Sequence, residues 1–235
     1  MAQLVFARKE MKYLVPEEKY LPFLADLVKH TAPDPYRTYT VCNVYYDTDI
    51  FNLIRMSMDR PLYKEKLRMR SYGVPSPDTP VYVEIKKKYD RRVYKRRETL
   101  PYAVACDFFD RGIYPAERDT QIMRELRYAL ERYKPTPRLF IAYEREAYMG
   151  IGEERGLRVT FDNGIRYRTQ DVSLAAGDHG KPLFDNNDRL LEIKFSGAMP
   201  LWLAELLGKH GIRRRSFSKY GRIYEKEFEN LHKEP

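Results

Sequence analysis

Three cations, Lys66, Arg68 and Arg70, stand two residues apart in KLRMR, with Leu67 and Met69 between them. Side chains two apart on a strand share a face, so this spacing predicts a row of positive charge backed by an apolar row. The alternation returns in four more segments. Glu84, Lys86 and Lys88 oppose Val83 and Ile85, and Lys95 and Arg97 repeat the pattern. Arg158, Thr160 and Asp162 oppose Leu157, Val159 and Phe161, while Glu192 and Lys194 oppose Leu191, Ile193 and Phe195. One such strand is ordinarily a solvated face with cross-strand ion pairs. Five together need a common cause. If helices cover the apolar faces of a closed sheet, the ionic faces must line its interior. Cations confined there repel one another and lose hydration, at a cost of up to several kcal/mol for each unpaired ion. An anionic ligand such as a chain of phosphates or a nucleoside triphosphate offsets that cost, and arginine forks match phosphate oxygens. Glu84 and Glu192 either temper the charge or hold a divalent metal, since magnesium and manganese prefer carboxylate oxygen.

Other chemistries find little support. Cys42 and Cys106 have no metal or redox spacing, the four histidines are scattered singly, and there is no Ser/His/Asp or Cys/His constellation. GIGEERG, residues 150–156, has glycines spaced somewhat like a dinucleotide loop but sits between two expected strands, so a hairpin turn is predicted. No Gly-rich loop ends in Gly-Lys-Ser/Thr. The runs KKKYDRR from Lys86 and RRRSFSKY from Arg213 mix basic and aromatic residues as nucleic-acid binders do, yet no nucleic-acid partner is expected. Arg213 to Arg215 are read as a solvated basic edge, or as a rim that guides an anion. Tyr45, Tyr46, Tyr143 and Tyr148 are expected to pack between sheet and helices.

The elements that must position these residues follow from periodicity. Strands are predicted over Phe6 to Val15, Tyr36 to Asp47 and Leu62 to Tyr72, and a meander continues through Val81 to Lys88 and Val93 to Leu100. Later strands are expected at Arg138 to Met149, Leu157 to Asp162, Ile165 to Thr169 and Leu190 to Ser196. Helices are expected in EEKYLPFLADLVKH, in a short segment capped by Asp49, at Tyr102 to Asp110 and at Thr120 to Tyr133. One more opens at Pro200, and another runs from Ser218 to His232. Residues 170–188 read as a loop. The fold class is therefore α+β, a closed antiparallel barrel of about eight strands surrounded by helices, as a single domain over residues 1–235.

With 43% hydrophobic residues the chain can bury one substantial core. The formal charge of +9 is concentrated: between Arg60 and Leu100 there are 13 Lys/Arg against 5 Asp/Glu. Such an excess points to an acidic partner. There is no apolar run of 18 residues, and MAQLVFARKEMK becomes charged too early for a signal peptide, so a cytoplasmic location is expected.

Taken in order, KEMKY (9–13), YYDT (45–48), KLRMRSYG (66–73), VEIKKK (83–88) and YKRR (94–97) resemble the VTC domain of polyphosphate polymerases, within the CYTH or triphosphate tunnel metalloenzyme superfamily. The likeness continues through YEREAY (143–148), LRVTFD (157–162), LEIKF (191–195) and FSKY (217–220), so it covers most of the chain. It implies an ATP-dependent transferase that passes the ATP γ-phosphoryl group to a growing polyphosphate chain in a cationic tunnel. By resemblance, Arg68, Arg70, Lys86, Arg145 and Arg158 would be catalytic. Lys12, Lys66, Lys95, Arg97, Lys194 and Lys219 would bind substrate, and Glu192 would hold Mn2+ or Mg2+. ATP, polyphosphate and a separate membrane protein are the implied partners. Superfamily hydrolases and cyclases begin with Glu-x-Glu-x-Lys, whereas here Arg8, Glu10 and Lys12 stand at those positions. That change points to the polymerase branch. A metal-dependent tripolyphosphatase or nucleoside triphosphatase is the alternative enzyme, and a non-catalytic polyphosphate-binding module is the third reading.

Overall fold

The structure is a computed structural model that describes residues 8–59, 61–90 and 92–228. Its strands are β1 (Arg8–Val15), β2 (Thr31–Asp47), β3 (Tyr63–Tyr72), β4 (Pro80–Tyr89), β5 (Arg92–Pro101), β6 (Thr136–Gly150), β7 (Arg158–Arg168), β8 (Lys181–Pro182) and β9 (Arg189–Ser196). The helices are α1 (Glu17–Leu27), α2 (Asn52–Met58), α3 (Tyr102–Arg111), α4 (Gln121–Tyr133), α5 (Leu201–Lys209) and α6 (Lys219–Glu227). The nine strands form one sheet in the order β1-β9-β7-β6-β2-β3-β4-β5, with β8 beside β7. The fold is thus α+β, with an antiparallel sheet. Residues 6–7 of the first expected strand and 229–232 of the last expected helix lie outside the described residues, as do Arg60 and Arg91 of the basic segment and the Arg8 side chain.

By contact density the chain divides into two compact units, with β2, β6, β7 and β8 each contributing to both. The first comprises Met1–Thr40, Tyr143–Ile165 and Pro182–Phe217. Its core joins Tyr13, Val15, Val159, Phe161, Leu191, Ile193 and Phe195 of the sheet, and Leu157 just before β7, to Tyr20, Phe23 and Leu27 of α1 and to Leu203, Leu206 and Leu207 of α5. Phe161 is fully buried, with Tyr20, Phe23 and Tyr148 edge-on around it. The second unit comprises Val41–Ala142, Arg166–Lys181 and Ser218–Pro235. Val44, Tyr46, Leu67, Met69, Val83 and Ile85 pack there against Ala105, Phe108 and Phe109 of α3 and Met123, Leu126 and Ala129 of α4. In both units the apolar face of the pleat is the one the helices cover, which is what makes alternation in the sequence a usable signal.

Local details depart from expectation in several places. Residues 170–188, expected as a loop, hold the two-residue strand β8, which pairs with β7, and β2 begins at Thr31 rather than at Tyr36. The strands expected at Leu157 to Asp162 and Ile165 to Thr169 are one strand, β7; Gly164, at φ 53°, bends the chain without reversing it. The cap of α2 is not Asp49. Asp47, fully buried at the end of β2, accepts hydrogen bonds from the backbone N–H groups of Leu53 (2.8 Å) and Ile54 (3.0 Å), across a left-handed turn at Phe51. Thr120 caps α4 by accepting from Met123 N at 3.2 Å, and Pro200 opens α5. GIGEERG is a tight turn in which a Cβ at Gly150 would lie 2.1 Å from the Glu154 carbonyl oxygen, so only glycine fits.

Candidate functional site

Both units carry charge on the sheet face opposite their helices, and strand register sets the pattern in each. In the second unit, Arg68 lies across from Tyr45 and Glu84, and Glu84 across from Arg97. Next to that row stand three lysines, Lys66, Lys86 and Lys95, directly opposite one another on β3, β4 and β5. Like charges in direct cross-strand register repel. Glu84, only 1% exposed, tempers the cluster: its carboxylate accepts from Arg68 Nε at 2.5 Å and meets Lys95 Nζ at 2.6 Å. Burial alone would raise the Glu84 pKa, but Arg68, Arg70 and Lys95 outweigh it and hold the pKa at about 2. Burial, with Arg68 and Arg70 nearby, pulls Lys95 down to about 8 against the pull of Glu84. Arg70 is buried and donates to Asn43 Oδ1 at 2.8 Å, and Arg97 lies over the Tyr82 ring at 4.7 Å. Lys66 donates to Ser218 Oγ at 3.2 Å, beside buried Lys219 at the start of α6.

The first unit has its own cluster. Register places Glu10, Lys194 and Arg158 in one row and Lys12, Glu192 and Thr160 in the next. Glu192 is nearly buried among cations: Lys12 at 3.3 Å, Arg145 at 3.4 Å and Lys194 at 3.9 Å. Glu10 shares two of them, Lys12 at 3.5 Å and Lys194 at 3.9 Å. Arg145 forks onto Asp162 at 2.6 and 2.7 Å. Burial opposes the Arg145 charge, but Tyr143, Asp162 and Glu192 favour it more strongly and raise its pKa. Arg158 pairs with Asp34 at 3.1 Å and donates to Tyr39 Oη at 3.3 Å. Lys194 is depressed chiefly by burial.

The residues expected to act therefore fall into two groups. Lys66, Arg68, Arg70, Lys86, Lys95, Arg97 and Lys219 belong to the second unit, and Lys12, Arg145, Arg158, Glu192 and Lys194 to the first. Sequence reasoning missed Asp34 and Asn43 as partners that orient them, and although it noted Asp162 and Glu10 it did not foresee that Asp162 pairs with Arg145 and Glu10 with Lys12 and Lys194. It also misplaced Tyr45, which lies on the charged face with its hydroxyl accepting from Arg68 Nη1 at 3.3 Å. Tyr46 does face the helices, bonded to Asp110 of α3 at 3.0 Å. The signal was available: Tyr45 shares the parity of Asn43, and Tyr46 that of Val44 and Cys42. Of the KKKYDRR run, Lys87 points the other way and pairs with Glu125 of α4 at 2.9 Å.

Among the described residues no group of three or more His, Cys, Asp and Glu forms a metal cage. The donors at Glu192 nevertheless fit a hard divalent cation. Glu192 and Glu10 converge on the same two lysines, and the buried Thr160 hydroxyl across from Glu192 has no hydrogen-bond partner. Magnesium-type sites commonly use one or two carboxylates and complete their coordination with substrate oxygens and water.

Comparisons with known proteins agree with this architecture. The model of the family described as VTC domain matches residues 7–228. A candidate adenylate cyclase from Bacillus halodurans superposes with a TM-score of 0.55 at 15% identity, covering 95% of this chain and 100% of that one. A candidate adenylyl cyclase from Hippeastrum, described as having a dominant triphosphatase activity, superposes with a TM-score of 0.54 at 14% identity, covering 95% and 98%. At these identities the likeness speaks to fold alone. No curated protein matches. No helix among the described residues is long and apolar enough to cross a membrane.

Proposed function

The chain belongs to the VTC domain family, and on that premise we propose that it is an ATP-dependent polyphosphate polymerase, transferring the ATP γ-phosphoryl group to the end of an inorganic polyphosphate chain. In this reading the whole chain acts as one tunnel domain, its sheet closed into a barrel. The observation that carries the proposal is the lysine row Lys66–Lys86–Lys95 beside Arg68 and Arg70. A polyanion is the ligand that turns this repulsive register into a binding surface.

The chemistry needs alignment more than proton transfer. A terminal phosphate oxygen of the acceptor attacks the γ-phosphorus as the bond to the β,γ-bridging oxygen breaks, giving ADP and a chain longer by one phosphate. Arg68, Arg70, Lys86, Arg145 and Arg158 stabilise the charge in flight, while Lys12, Lys66, Lys95, Arg97, Lys194 and Lys219 hold nucleotide phosphates and polymer. A divalent cation at Glu192, Mn2+ or Mg2+, with Glu10 and Thr160 beside it, would supply further neutralisation of the phosphate charge. The acceptor oxygen is already anionic near neutral pH, so no general base is required. The carboxylates described on these faces suit that chemistry, because Glu84, Glu192, Asp162, Asp34 and Glu10 are all engaged by cations. ATP and polyphosphate are the proposed partners, with a separate membrane protein as receiver of the polymer and a cytoplasmic location.

A second reading, metal-dependent hydrolysis of tripolyphosphate or nucleoside triphosphate, is favoured by the way Glu10 and Glu192 share Lys12 and Lys194. Two nearby carboxylates are what a water-activating metal would use. Incubation with ATP and Mn2+ separates the readings: long polyphosphate plus ADP is expected, free phosphate alone would establish the hydrolase, and polyphosphate binding without turnover would reduce the protein to a binding module. Lys86→Ala is the informative variant because Lys86 is exposed on its face. It should abolish synthesis while leaving thermal unfolding unchanged, and unaltered product formation would remove Lys86 from the site.

A further inference from the structure

The YYDT and FSKY segments each hold a residue that the phosphate chemistry does not use, Asp47 and Tyr220, and the fold joins them. Asp47 is completely buried. One of its oxygens accepts from the backbone N–H groups of Thr48 and Leu53, both at 2.8 Å. The other accepts from Ile54 N at 3.0 Å and from the Tyr220 hydroxyl at 2.8 Å. One carboxylate thus closes the end of β2, caps α2 and anchors the first turn of α6. On the other side of Lys219, Ser218 is fixed as well. Its hydroxyl oxygen accepts from Gly221 N at 3.1 Å and from Lys66 Nζ at 3.2 Å. A Cβ on Gly221 would lie 3.3 Å from that of Ser218, so this turn has little slack.

We propose that Tyr220 is a positioning residue: its hydrogen bond to Asp47 fixes the start of α6 and so sets where Lys219 stands beside Arg68 and Arg70. The surroundings of Tyr45 locate that charge. The Tyr45 ring lies 5.0 Å from that of Tyr220, and although burial would raise the Tyr45 pKa, Arg68, Arg70 and Lys219 together lower it. Lys219 therefore acts on the same point as the two arginines of β3. A lysine is a point charge on a flexible four-carbon stem, so its contribution to a fixed phosphate depends on how firmly its backbone is held. Tyr220 donates to a carboxylate in a dry site, and a hydrogen bond of that kind is among the stronger ones. The inference rests on the reading of these cations as phosphate ligands.

The test is a double-mutant cycle on tripolyphosphate affinity, measured by calorimetry with Tyr220→Phe, Lys219→Ala and the pair in the full chain. Tyr220→Phe removes one oxygen and keeps the ring. It is expected to weaken binding about tenfold, and the double variant should bind no worse than Lys219→Ala alone, because a residue that acts through another adds nothing once its partner is gone. If the two losses multiply, or if Tyr220→Phe binds like the parent, the inference is overturned while the phosphate reading stands. If the parent protein fails to bind tripolyphosphate, both fall. Should Tyr220→Phe lower the unfolding temperature enough to leave unfolded protein at the assay temperature, the cycle is run at a lower temperature at which all four proteins are folded, with the same non-multiplying result expected and multiplying losses again overturning the inference. In turnover, Tyr220→Phe should raise KM for ATP more than it lowers kcat, a split that general loosening of the fold would not produce.

Discussion

Replacing Glu84 by Gln should move stability and anion affinity in opposite directions. The carboxylate is 1% exposed and joins Arg68 to Lys95, whose side chains are 20% and 40% exposed. Removing one partner of a fully buried ion pair costs about 3–5 kcal/mol, because it strands the other charge. Here water reaches both cations, and glutamine still offers Arg68 an acceptor, so about 2 kcal/mol is the better expectation. For a chain of this length that corresponds to a fall in unfolding temperature of roughly 4–8 °C. Binding should change the other way. A phosphate over Lys86, two residues along β4, sits about 7 Å from Glu84. At an effective dielectric constant of about 20, a unit charge at that distance is worth about 2 kcal/mol, and salt reduces it to about half. Tripolyphosphate should therefore bind the variant roughly five- to tenfold more tightly, and saturating ligand should recover most of the lost unfolding temperature. Calorimetric titration and thermal unfolding with and without tripolyphosphate measure both halves. Weaker binding together with unchanged stability would show that Glu84 contacts the ligand or its metal, and would refute the idea that it only balances cations.

Two further expectations follow from the same faces. Lys95 sits at about 8, depressed by burial and by Arg68 and Arg70 against Glu84, so the ligand-free protein loses this charge as pH rises through that value. Tripolyphosphate affinity should decline between about pH 7 and pH 9, with proton uptake on binding at the upper end. Because the folded pKa lies below that of a free lysine, this group's contribution to stability is complete above about 10.5 and is lost as pH falls through about 8. Lys95→Arg should flatten the affinity profile, and a flat parent profile would show that Lys95 lies away from the ligand. Thr160→Val removes a buried hydroxyl with no hydrogen-bond partner. It should leave stability unchanged or raise it by about 1 kcal/mol in urea unfolding, while weakening Mn2+-dependent tripolyphosphate binding. A loss of stability would mean that the hydroxyl is already satisfied.

The parity of Lys66, Arg68 and Arg70 against Leu67 and Met69 was legible because it needs only the pleat, and the structure puts these residues on the two faces their spacing implies. Pro200 was legible as the opening of α5 for a similar reason, since a helix start is a local matter. Register was not. Nothing near Lys86 in the sequence says that it faces Lys66 and Lys95, or that Lys87 will find Glu125 on α4. The cap of α2 was missed because Asp49 is closer in sequence, whereas Asp47 is held by burial and by Tyr220, which is 173 residues away. Arg145 offered an arginine but no hint of its fork onto Asp162. The pairings of Lys86, Lys87 and Arg145 are ones between distant segments that local periodicity does not encode, whereas Tyr45 was readable from its parity.

The division of each sheet segment into a face for helices and a face for charge has a consequence for how this sequence tolerates change. Along β3 and β4 neighbouring codons answer to different constraints. At Leu67, Met69, Val83 and Ile85 a library of substitutions should be filtered by volume; at Lys66, Arg68, Glu84 and Lys86 it should be filtered by sign of charge. A deletion of one residue within either strand exchanges the two sets and defeats both at once. The same deletion in the turn between them, residues 73–79, leaves both sets in phase and should be far better tolerated.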